Sequence, residues 1–197
     1  MADSNITKRA LAASLKELMM THRFEHIQVT YICERCGMNR KSFYYHFKDK
    51  YDLLNWIFDT EFGAFEQNFS DLSSFENRLE RIREICQYFY VNRIFYRNAL
   101  QVTGQNSFGD HFQECMIDII KKRLSYYLVG EVLDDFEVLF FSDALFGTFK
   151  RWLSDENCMP PDEFVDRLLV LFQKAATTIN QELSNQGPFD QIVKKEC

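Results

Sequence analysis

Two cysteines, Cys33 and Cys36, stand three residues apart at the head of the stretch CERCGMNRKSFYYHF, residues 33–47. Thiols at this spacing serve zinc knuckles and thiol–disulfide sites. The run that follows, NRKSFYYHFKDK, offers guanidinium, ammonium, hydroxyl and imidazole donors. Such donors bind phosphate oxygens and the edges of bases. Two chemistries therefore compete within a few residues.

The cysteine chemistry lacks its partners. A structural zinc site takes four ligands, and the sequence has no second C-x-x-C. His22 and His26 would have to complete a Cys2His2 set from across a turn. A redox pair of this spacing belongs in a βαβ context, which the helical patterning here does not provide. Cysteine also packs as a small apolar residue, and that is the role expected of Cys33 and Cys36. Thiol sensing and zinc binding are the alternatives. The rest of the chain has no phosphate-binding glycine loop, no nucleophile elbow and no metal-spaced histidine pair, and His111 stands alone. The expectation is a protein that is not an enzyme, with no metal and no cofactor. Arg93 and Arg97 could face an anionic ligand, although a solvated face is the simpler reading.

The elements needed to position the basic run are legible. Leu11, Leu15, Leu18 and Met19 make one apolar helical stripe. A compact segment ends at Gly37, and Asn39 suits the N-cap of a following helix with Arg40, Lys41 and Ser42 in its first turn. Two short helices joined by a glycine turn and backed by a longer helix make a helix-turn-helix unit. In such a unit Arg40, Lys41 and Ser42 meet base edges, while Tyr44, Tyr45, His46 and Lys50 can donate to phosphates. Phe43 and Phe47 are needed inside the small core.

Beyond Lys50 the helical pattern continues. Leu54, Phe58, Phe62, Phe65 and Phe69 form one stripe, and Phe75, Leu79, Ile82, Cys86 and Phe89 another. Phe112, Cys115, Met116 and Ile119 suggest a third. Residues 134–153 are apolar on nearly every face, so this helix must be covered on more than one side. After Pro160 and Pro161 comes a stripe of Phe164, Leu168, Leu171, Phe172, Ala175 and Ile179. These last two helices are expected to form a homodimer.

With 197 residues, 46% hydrophobic, and only 7 Gly and 3 Pro, the chain is read as a packed all-α protein. Net charge is −6, but residues 1–50 hold nine Lys/Arg against five Asp/Glu, leaving +4 there and −10 elsewhere. A basic head on an acidic body attracts phosphate locally. The amphipathic N-terminus carries no signal-peptide pattern, no apolar run is long enough to span a membrane, and the six cysteines read as cytoplasmic thiols.

The segment from Ile27 to Leu54 resembles the DNA-binding domain of the TetR family of bacterial transcriptional regulators. The resemblance rests on Gly37-Met38, Ser42-Phe43-Tyr44-Tyr45-His46-Phe47, Lys50 and Leu53-Leu54, in order and without gaps. It implies a three-helix DNA-binding domain over residues 1–50, a helical effector-binding and dimerisation domain over 51–184, and a flexible tail over 185–197. It further implies that Thr30 faces DNA and that Tyr44, Tyr45 and Lys50 anchor the phosphate backbone. The site expected to bind double-stranded operator DNA thus comprises Thr30, Asn39, Arg40, Lys41, Ser42, Tyr44, Tyr45, His46 and Lys50. The continuation LLNWIFDTEF looks like the subgroup of dihydroxyacetone kinase operon activators. In that subgroup a dihydroxyacetone-kinase-like subunit acts as coactivator, where other members of the family take a small-molecule effector. The family's usual Ser or Thr before Val29 is Gln28 here, so either Thr30 caps a shorter helix or the cap is weak.

Overall fold

The structure, a computed structural model, describes residues 2–67, 74–103, 107–121 and 133–186. Its regular elements are all helical among the described residues. The head is built from α1 (Ala2–Met19), α2 (Val29–Arg35) and α3 (Arg40–His46). A single 3-10 turn, Phe24–His26, joins α1 to α2. The body follows as α4 (Lys50–Gln67), α5 (Phe75–Val91), α6 (Arg93–Ala99), α7 (Phe108–Ile119), α8 (Asp135–Ser154) and α9 (Pro161–Gln186).

Local chemistry sets these boundaries. Ser74, Ser107 and Asp134 each accept a backbone N–H in the first turn of α5, α7 and α8, and Asp134 forms a full capping box with Glu137. Gln28 makes no side-chain cap hydrogen bond and α2 still begins at Val29. The weak cap is therefore the correct alternative, and Thr30 lies inside the first turn. Asn92 separates α5 from α6, its amide donating back to the Tyr88 carbonyl at 2.9 Å.

Burial follows the apolar stripes. Leu11, Leu15, Met19, Phe24, Ile32, Phe43 and Phe47 close the head core, and Phe58, Phe62, Phe89, Tyr96, Phe108 and Phe112 continue it into the body. α4 carries both parts. Its first turn buries Leu53 and Leu54 against the head, and Ile57 and Phe58 lie one turn further on. The helix begins at Lys50 and carries the packing of the head into the body. Phe58 meets Phe112 at 5.0 Å between centroids, and Phe89 meets Phe149 at 4.8 Å, so rings fill the space between α4, α5, α7 and α8. Trp152 stacks on Phe164 at 4.3 Å and donates its indole N–H to the Met159 carbonyl, locking α8 to α9 across the Pro160–Pro161 turn. Phe75, expected on the buried stripe of α5, is 55% exposed at that helix's first position.

The head is tied to the body through polar contacts as well. Asn98 on α6 donates to the Met19 carbonyl at 2.6 Å, satisfying the C-terminal end of α1. Lys16 on α1 pairs with Glu61 on α4 at 2.8 Å, and Glu61 also accepts from Tyr88 and Tyr96. Burial and the neighbouring carboxylate push both phenol pKa values up, so they stay protonated donors. α9 reaches Asn185 and Gln186, the first residues of the expected tail, and the rest of that tail lies outside the described residues. So do Phe69 and the side chains of Phe65, Ala175 and Ile179.

Candidate nucleic-acid interface

The turn between α2 and α3 sets the interface. Gly37 adopts φ +67°, the left-handed region that glycine enters without a Cβ penalty. Two bonds close the end of α2: Met38 N–H donates to Cys33 O at 2.9 Å and Gly37 N–H to Glu34 O at 3.2 Å. This is the double closure of a Schellman motif, and it turns the chain sharply into α3. Asn39 then caps α3, its Oδ1 accepting from the Ser42 N–H at 2.9 Å. Of the groups expected to meet DNA, the Asn39 carbonyl oxygen is thus committed to the helix, which leaves its amide N–H2 facing outward.

α3 divides cleanly into two faces. Phe43 is buried and contacts Phe47 at 5.8 Å, fixing one side in the head core. Arg40, Lys41, Tyr44 and Tyr45 are exposed, Tyr45 by 82%. Positions i, i+1, i+4 and i+5 share one helical face. Arg40 lies over the Tyr44 ring at 5.8 Å and donates to its hydroxyl at 3.4 Å. Its pKa is raised by that hydrogen bond, which keeps the guanidinium charged. Ser42 and His46 are half-buried, and the His46 imidazole stands edge-on to Tyr45 at 4.9 Å. Thr30 is half-buried on α2, in the first turn of the helix that supports α3.

Lys50 is placed differently from the phosphate-facing position expected of it. Its ammonium donates to the carbonyls of Phe24, Glu25 and Ile27 at 2.7, 3.1 and 2.9 Å. All three N–H bonds are thereby used within the unbound chain, and the ammonium lies 4.6 Å from the Phe24 ring centre. Burial pulls its pKa below the ordinary lysine range, opposed by the nearby Glu25 carboxylate. The sequence could not show this, because the acceptors lie more than twenty residues away on a turn with no side-chain signature.

The cysteines lie behind this surface. Cys33 is buried in the head core, and burial raises its thiol pKa. Cys36 is half-buried, with its thiol directed at the Ile32 and Cys33 carbonyls. Among the described residues, no group of three metal-ligating side chains includes either one, and both pack in or against the head core.

Residues 11–57 match the family model for bacterial regulatory proteins of the tetR family, and residues 76–174 match that for a transcriptional regulator C-terminal region of TetR type. The chain is 31% identical over 102 residues to the HTH-type dhaKLM operon transcriptional activator DhaS of Lactococcus lactis subsp. lactis (strain IL1403). That alignment spans 52% of this chain and about half, 53%, of the relative. A solved structure of a dihydroxyacetone kinase operon activator DhaS superposes with a TM-score of 0.63 at 19% identity, covering 86% of this chain and 96% of that one. The structure of NalD, the secondary repressor of the MexAB-OprM multidrug efflux pump in Pseudomonas aeruginosa, gives a TM-score of 0.61 at 21% identity, with 88% and 97% covered. At these identities the two superpositions speak for the fold alone. The family models take in both the head that carries α3 and half of the chain beyond it, and the chain belongs to the TetR family of bacterial transcriptional regulators.

Proposed function

We propose that this regulator binds a palindromic operator as a homodimer, each subunit laying α3 in the major groove of one half-site. The observation that carries this is the two-faced α3. Phe43 and Phe47 hold it from behind, while Arg40, Lys41, Tyr44 and Tyr45 stand exposed in front. Arg40 and Lys41, in the first turn, are the residues assigned to base edges, and Tyr44, Tyr45 and His46 to phosphates. Thr30 and Ser42 flank them, and Asn39 holds the start of the helix in register. Lys50 acts one step back, by holding the turn before α2.

The dimer reading is supported by an apolar surface on α8 and α9. Phe136, Leu139 and Phe140 on α8 are 76%, 48% and 60% exposed, and Val170 and Leu171 on α9 are 46% and 60% exposed. Phe141 and Phe172 bring the two helices together there at 6.4 Å between ring centres. A second copy would cover this surface in the isologous manner of a two-fold dimer. The regulator would then work in the cytoplasm on double-stranded DNA.

Control by a small molecule bound in the body is the general reading for this family. A specific observation favours control by a protein coactivator instead, such as a dihydroxyacetone-kinase-like subunit. Phe58, Phe89, Phe108, Phe112 and Phe149 pack ring against ring in the interior of the body, among the described residues. Similarity to a transcriptional activator of a dhaKLM operon points the same way.

Selection from a random duplex pool, followed by fluorescence anisotropy, tests the DNA reading. Arg40→Ala and Lys41→Ala should each weaken the selected duplex by roughly tenfold or more and relax preference at one position, the effect of losing a base-edge contact. Equal affinity of both variants and the parent would overturn the site. Native mass spectrometry of the operator complex separates the two control readings. Added mass on mixing with a kinase-like subunit supports the coactivator, and an unchanged mass removes it.

A further inference from the structure

Where α4 crosses α7, three side chains that the DNA-binding reading leaves unused come together. Asp59 projects from α4, and His111 and Cys115 from α7, one turn apart on a single face. Every pair of their donor atoms lies within 4.8 Å. The His111 Nε2 already sits 2.6 Å from Asp59 Oδ1. Among the described residues this is the one such grouping of three.

We propose that Asp59, His111 and Cys115 form a binding site for a divalent transition-metal ion of the zinc, cobalt and nickel class. The donor set selects the class. Imidazole and thiolate suit borderline and soft ions, whereas magnesium and calcium ask for oxygen ligands. Zinc bonds of about 2.0–2.3 Å in tetrahedral geometry place donor atoms roughly 3.3–3.7 Å apart. Small rotamer changes reach that spacing, because Asp59 is exposed and His111 and Cys115 are half-buried. Three protein donors leave a fourth position to water, the pattern of an exchangeable site.

An adjoining cleft shares His111 with this group. Asn55, one turn before Asp59 on α4, lines the cleft with Ser107, His111 and Glu114, and its buried Oδ1 has no hydrogen-bond partner. A buried amide oxygen without a donor costs stability, so the group borders an unmet acceptor. The Glu114 carboxylate beside it adds negative charge that attracts a cation. Binding breaks the His111–Asp59 hydrogen bond and releases to solvent the proton shared there together with the Cys115 thiol proton, as the donors take up the metal with no change of oxidation state. The ion would then join α4, the helix that leaves the DNA-reading head, to α7 in the body.

Cobalt(II) titration of the full chain under reducing, non-chelating conditions tests the site without reference to DNA. The expected result is saturation at one ion per chain, with a thiolate-to-cobalt charge-transfer band and tetrahedral ligand-field bands. Cys115→Ser should abolish the thiolate band, and Asp59→Asn should weaken binding by about tenfold or more, at least the cost of losing an outer partner. Cys33→Ala and Cys36→Ala should leave the spectrum as it is. Zinc should also protect Cys115 of the unmodified chain from alkylation, read by peptide mass, which requires no variant to fold. Absence of a thiolate band, its persistence in Cys115→Ser, or equal alkylation with and without zinc would each overturn the proposal.

Discussion

Replacing Lys50 by methionine separates two roles that its position in the sequence cannot tell apart. Methionine keeps most of the aliphatic stem and removes the ammonium, leaving the carbonyls of Phe24, Glu25 and Ile27 without their shared donor. Hydrogen bonds from a charged group contribute about 1.5–3 kcal/mol each when buried. The Glu25 bond is exposed and water replaces it, so the weight rests on the two part-buried bonds. Removing a cation from the first position of α4 returns about 0.3–1 kcal/mol through the helix dipole. The net loss is about 2–6 kcal/mol, which for a chain of this size lowers Tm by roughly 4–24 °C. Differential scanning calorimetry measures that shift. Anisotropy across a salt series measures the other role, since each phosphate contact contributes about 0.9 to the slope of log affinity against log salt. If Lys50 is a clamp, affinity falls on all duplexes alike and the slope holds. An unchanged Tm together with a slope reduced by about 0.9 per chain would refute the clamp and restore the phosphate contact.

Gly37→Ala should cost about 1–2 kcal/mol in denaturant unfolding, the penalty of a left-handed residue with a Cβ. Open space surrounds a Cβ built there, so the loss is backbone strain alone, and a loss below about 0.5 kcal/mol would contradict it. Phe140→Glu places a charge on the exposed apolar surface of α8 and should leave the helical content intact while converting the proposed dimer to monomer in sedimentation velocity. A dimer of unchanged mass would move the interface elsewhere.

The helix periods of the head were plain in the sequence because each face has one neighbour. Leu11, Leu15 and Met19 recur at helical spacing and are buried; Phe43 and Phe47 are separated by one turn and share the buried side of α3. Gly37 and Asn39 could be placed by type, since a left-handed turn and an N-cap each demand a particular local chemistry. The same local logic anticipated the stripe of α7, where Phe112 and Ile119 are buried. It failed where a helix face is decided from afar. Phe75 falls on the stripe of α5 by periodicity, yet it sits beyond the reach of the core and is exposed. The short α6 left no separate trace, because Asn92 interrupts α5 through a bond to its own preceding turn.

Sequence alone determined that residues 39–47 form a capped, basic, two-faced helix after a glycine turn, because every contact that specifies it lies within a few positions. Tertiary structure decided where charges end up. Lys50 turns inward to carbonyls 23 to 26 residues away, and Asp59 meets His111 across 52 residues. Spacing along a chain encodes neighbours within a helix turn. Partners brought together by the crossing of α4 with the head and with α7 have no such spacing, and only the packing of large aromatic side chains fixes them.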